Sequence, residues 1–195
     1  MKIRKIAYLS TLFAILLPTL VVATVVISYT YPTTIGNPTY PTFYVAEGKN
    51  YPIANSLGLI SLSGSSGNLA SKYGTLIPNG TTITLTPESG ADLQLLDVFV
   101  INNTGSSTQT VTIEILSSSI TGGSAWLYAT QNTQQFPLWS NPNALKLSLT
   151  SNGGYITVTV PAQSSTSGTP GTYYIGFELS GSLSGSAELT FYTTT

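Results

Sequence analysis

Alternation of apolar and polar residues, repeated along most of the chain, constrains the fold more than any other feature. Thr81–Leu85, Thr110–Ile115, Leu145–Leu149, Ile156–Val160, Tyr173–Leu179 and Ala187–Phe191 all carry it. A period of two marks a strand with one face in a core and the other outside. Leu93–Ile101 is apolar on both sides, as suits a central strand. Clusters of Gly, Ser, Asn and Pro separate the runs, and no segment past residue 30 has a helical period. The pattern predicts an all-β fold, an immunoglobulin-like or jelly-roll β-sandwich over residues 42–195. Asn102–Ser107, between two strong runs, predicts a hairpin loop.

Several chemistries are excluded outright. The chain has no Cys and no His, and its single Met is the initiator. Disulfides, thiolate or imidazole metal sites and Ser-His or Cys-His catalysis are therefore out of reach. Charged residues are only 7% of the chain, against about a quarter in an average soluble protein. The carboxylates do not form a readable catalytic pair: Asp92 and Asp97 differ in strand parity, while Glu178 and Glu188 fall on runs expected to be neighbouring strands. The sequence points to no enzyme, no metal and no cofactor. Trp126 and Trp139 read as core or interface anchors before they read as sugar-stacking rings. An isopeptide crosslink would need Lys49, Lys72 or Lys146 buried beside an Asn and an acid, and nothing in the sequence places such a triad. Gly171-Thr172-Tyr173 follows a Pro- and Gly-containing turn. It resembles the tyrosine corner of immunoglobulin-like sandwiches, with an ordinary strand tyrosine as the other reading of Tyr173.

The N-terminus is different. Lys2, Arg4 and Lys5 precede an apolar stretch from Ile6 to Ile27, the layout of a secretory signal. Small residues at Val21 and Ala23 predict cleavage between Ala23 and Thr24, so residues 1–23 are read as a signal peptide. Without it the chain keeps Lys49, Lys72 and Lys146 against seven acids. That weakly acidic balance argues against nucleic acid as a partner, and the membrane is expected only during export. The new start, residues 24–31, places Val25, Ile27, Tyr29 and Tyr31 on one face, with Val26 breaking the polar other face. Burying its four apolar side chains would contribute about 1.5–3 kcal/mol each, and an unpaired strand of this kind invites pairing with another chain. Pro32, Pro38 and Pro41 stiffen the linker 32–41, which spans about 30 Å if extended as polyproline. These residues predict a strand detached from its own domain and presented to a neighbour's groove.

In layout, a signal sequence, a free N-terminal strand and a cysteine-free, Ser/Thr/Tyr-rich β-domain, the chain resembles the subunits of archaeal threads and bundling pili. The resemblance implies donor-strand complementation: Val25, Val26, Ile27, Tyr29 and Tyr31 would complete the sheet of the next identical subunit, giving a secreted homopolymer at the cell surface used in adhesion or biofilm formation. A heterologous contact of this kind repeats into an open filament. Two alternatives stand beside it: a type IV-like pilin that keeps an N-terminal helix, and a membrane-anchored sugar-binding β-domain. Asn79-Gly80-Thr81 and Asn102-Asn103-Thr104 are N-glycosylation sequons, both expected in turns, with N-glycans as the implied modification. Scarce charge and the absence of Cys predict a protein suited to a hot, acidic exterior.

Overall fold

A computed structural model describes residues 23–30, 42–63, 70–71, 74–77, 81–86 and 92–193. Residues 1–22 of the segment read above as a signal peptide, Tyr31, the stretch 32–41, Lys72 and Asn79 lie outside the described residues. The fold is all-β, and among the described residues the pairing is antiparallel except at one place.

In chain order the strands are β1 (Ala23–Thr30), β2 (Phe43–Glu47), β3 (Ile60–Ser63), β4 (Ala70–Ser71), β5 (Gly74–Thr75), β6 (Thr81–Leu85), β7 (Leu93–Asn103), β8 (Gln109–Ser118), β9 (Thr121–Thr130), β10 (Leu145–Ser148), β11 (Tyr155–Val160) and β12 (Gly171–Thr193). A short helix, α1 (Tyr51–Ser56), follows β2, with Pro52 in its first turn, where its missing N–H costs nothing. Six residues are too few to show a helical period, which is why alternation analysis passes over it.

β12 organises the rest. Its first half pairs with β7 and β9, and its second half with β8 and β1. One arm of the sheet therefore runs β2–β7–β12–β9–β10, and the other β11–β8–β12–β1–β6–β3. The inward rows of both arms meet in a single core that includes Val45, Phe99, Ile101, Leu127 and Phe177 from one arm and Ile83, Leu85, Ile113, Leu189 and Phe191 from the other. Phe99 and Phe177 meet edge to face, ring centres 5.9 Å apart, a favoured aromatic geometry.

Three expectations are corrected. The runs Tyr173–Leu179 and Ala187–Phe191 belong to one 23-residue strand, so Glu178 and Glu188 share β12 and do not sit on neighbouring strands. The intervening Gly181-Ser182-Leu183-Ser184-Gly185 bends without ending it: Gly181 and Gly185 adopt φ of 85° and 106°, and the pairing with β9 shifts register there. Asn102–Ser107 is not a hairpin, because β7 pairs with β2 and β12 while β8 pairs with β11 and β12. The segment carries the chain from one arm to the other, closed by Asn103, whose Nδ2 donates to Ser107 O at 2.8 Å and Pro161 O at 2.9 Å. Lastly, the N-terminal strand is not detached in the single chain. β1 lies within the sheet, between β12 and β6.

Candidate functional site

The site of interest is the position that β1 occupies. Its eight residues pair in parallel with β12, from Ala23 opposite Gly185 to Thr30 opposite Tyr192. On its other side Ala23–Ile27 pair antiparallel with Leu85–Thr81. β6 continues outward only to β3. The β6–β3 pair is thus joined to the rest of the sheet through β1.

The rows into which β1 fits explain why a sequence such as Val25-Val26-Ile27-Ser28-Tyr29 belongs there. Val25 takes the register position between Ile83 and Ala187, and Ile27 that between Thr81 and Leu189. Tyr29 stands opposite Phe191. All five of these neighbours are buried. Val26, the exception in the alternation, takes a position between Thr82 and Glu188, both half-buried, and Thr24 one between Thr84 and Ser186. Without β1, the backbone edges of Thr81–Leu85 and Gly185–Tyr192 would face each other unpaired. Such a slot demands a strand, because exposed N–H and C=O groups carry a free-energy cost.

The two ends of the slot differ. At its start, Gly185 is required: a Cβ there would lie 2.2 Å from Ser119 O. At its far end, Tyr192 donates a hydrogen bond to Glu114 Oε2 at 2.9 Å. That bond to a carboxylate holds the phenol above its ordinary pKa.

The other residues singled out in the sequence scatter away from the slot. Asn102 lies in β7, not in a turn. It is 3% exposed, and its Oδ1 accepts a hydrogen bond from Thr172 Oγ1 at 3.0 Å. A glycan on Asn102 would have to be attached before that strand is seated. Asp92 is exposed, whereas Asp97 is buried within β7. Tyr173 is a buried strand residue paired with Ile101, and burial raises its pKa. Trp126 is half-buried under Lys146, whose Nζ sits 3.9 Å from the ring centre. Trp139 is 62% exposed. Among the described residues, no three His, Cys, Asp or Glu side chains come together as a metal site would require. No described helix is long and apolar enough to cross a membrane.

No protein-family model matches the chain, and no curated protein matches it. The geometry of the slot is therefore what any functional reading has to rest on.

The alternation at the N-terminus marks a strand but does not name the strands beside it. The acceptor edges, Thr81–Leu85 and Gly185–Tyr192, are far apart in sequence, and each alone reads as an ordinary alternating strand. The one available signal was negative: Ser182-Leu183-Ser184-Gly185 looks like a turn, so the long reach of β12 stays hidden.

Proposed function

We propose that this protein is a structural subunit of an extracellular filament, assembled head-to-tail by strand exchange. The N-terminal strand of each subunit fills the slot between β6 and β12 of the next. The observation that carries this reading is that an N-terminal strand, parallel to the last strand of the chain, is the link between β6–β3 and the rest of the sheet. A parallel partner cannot arrive through a tight turn. Here the strand is tied to its own body only through residues 31–42, which contain Pro32, Pro38 and Pro41. Extended, those residues reach about 37 Å, whereas a body of this size has a radius of gyration of roughly 15 Å. The same strand can thus fill its own slot or an identical slot next door with the same backbone pairing, which is the physical basis of strand swapping. The closed single chain and the polymer differ mainly in the path of the linker.

The subunit is read as an immunoglobulin-like or jelly-roll sandwich, secreted after cleavage before Thr24, with Asn79 as the remaining candidate for a glycan. Its role is structural, in adhesion or biofilm, as the layout shared with archaeal threads and bundling pili suggests. The partners are identical subunits.

A crosslink tests this directly, since the chain has no native Cys. Val26 and Thr82 are register partners across β1 and β6. Oxidised V26C/T82C protein should give a ladder of covalent oligomers on a denaturing, non-reducing gel, and deletion of Thr24–Tyr31 should abolish assembly. A single monomeric band at every concentration, or normal filaments from the deletion, would refute the proposal.

A further inference from the structure

The connection between β9 and β10, residues 131–144, is long for a tight β-sheet and is the most heavily braced loop among the described residues. It contains one short 3-10 helix, Leu138–Ser140. Gln134 and Asn141 are both buried within it. Gln134 exchanges hydrogen bonds with the bulge in β7: its backbone N–H donates to Asp97 Oδ1 and its Oε1 accepts from the Asp97 N–H, each at 2.9 Å. Its Nε2 donates to Tyr128 O at 3.0 Å. Asn141 folds the loop onto itself, with Nδ2 donating to Gln135 O and to Leu138 O, both at 2.7 Å, while its Oδ1 accepts from the Gln135 N–H at 2.5 Å. Leu138 is fully buried, and its N–H donates to Gln94 Oε1 at 2.9 Å.

All this bracing holds two rings in solvent. Phe136 is 74% exposed and Trp139 is 62% exposed, on either side of the buried Leu138. Around them Gln131, Asn132, Thr133, Gln135, Ser140 and Asn143 are exposed as well. No Asp, Glu, Lys or Arg occurs from Gln131 to Ala144.

We infer that this loop is a binding site for a neutral saccharide. Exposed aromatic faces suit the apolar C–H face of a pyranose, and exposed amides and hydroxyls suit its rim of hydroxyl groups. An uncharged loop offers nothing to an ionic ligand. The bracing matters because a surface already held in its bound form loses little freedom on binding. A second copy of the chain fits less well. Two rings of about 150–250 Å² each, roughly two-thirds exposed, offer on the order of 300 Å², far below the ~800 Å² per partner that a stable interface takes. The loop ends at β10, in the other arm of the sheet from β1, so the inference does not depend on strand exchange.

The test uses the full secreted chain. W126F leaves Trp139 as the single tryptophan, so its fluorescence reports on the loop. Titration with maltotetraose, N,N′-diacetylchitobiose and mannotriose should give a saturable spectral shift with at least one of them. On a column carrying that sugar, W139A and F136A should each lose about tenfold or more in affinity while keeping the parent circular dichroism, since both rings are exposed. Absence of saturable binding to all three sugars would overturn the inference. So would equal retention of W139A and parent, or a W139A that binds sugar normally but sediments as a smaller species, which would mark the patch as a contact between copies.

Discussion

Asp97 shows how one residue can set both local geometry and pH response. It sits in β7 with φ of 48°, a conformation that Asp and Asn tolerate better than most side chains. There the pairing with β12 jumps from Leu95–Phe177 to Phe99–Ile175, leaving an extra stretch on β7. The bulge turns the Asp97 backbone toward Gln134 and, through its carbonyl, toward the Asn50 N–H. Gly176 opposite is obligatory, because a Cβ there would lie 2.6 Å from the Leu95 carbonyl oxygen and 2.2 Å from Gln134 Oε1. Burial raises the Asp97 pKa, outweighing the hydrogen bond from Gln134 and the attraction of Lys49; burial raises Glu47 as well. A raised carboxyl favours the protonated native state. Its stabilising contribution is complete below the unfolded value, near 3.8 for Asp97 and 4.5 for Glu47, and is lost as pH rises through the higher folded value. Melting temperatures between pH 2 and 8 should therefore show an acid-side gain from these residues, and D97N, which keeps the acceptor for Gln134, should show a smaller one. Identical pH profiles for D97N and parent would contradict the assignment. None of this is legible in the sequence, where Leu96-Asp97-Val98 continues an apolar strand and a bulge carries no mark of its own.

At the scale of elements, alternation located the strands well, and what it missed was continuity and partnership. Thr81–Leu85, Leu145–Ser148 and Tyr155–Val160 lie where the pattern puts them, because each has one face in the core and a period of two records that directly. The pairing of strands depends on contacts remote in sequence, and the joining of two runs into β12 depends on glycines that elsewhere would signal a turn. Gly185 makes the point measurable. Its φ of 106° and the 2.2 Å approach of Ser119 O both oppose a side chain. Gly153, in the turn between β10 and β11, also has positive φ (71°) but open space around it. G153A should cost about 1–2 kcal/mol, the conformational term alone. G185A should cost about 2–4 kcal/mol, because the strand must also move. Denaturant melts of the two variants separate the terms, and equal losses would mean that β12 yields freely at its bend.

On the scale of the whole molecule, the sequence announced an all-β body and a strand with open edges, but not the slot that receives it, since that slot exists only when the two arms of the sheet are folded around β12. Parallel alignment along β12 also has a mechanical meaning. In a chain of joined subunits, tension would enter β1 at Thr30 and run lengthwise beside Gly185–Tyr192. Bonds loaded in that direction share the force at once, whereas a strand peeled from one end breaks them singly. Trimming Thr24 and Val25 should therefore lower the rupture force of a single joint in pulling experiments, while a force indifferent to overlap would indicate unzipping. A filament of such joints would behave as a rope whose strength is set by the length of each splice.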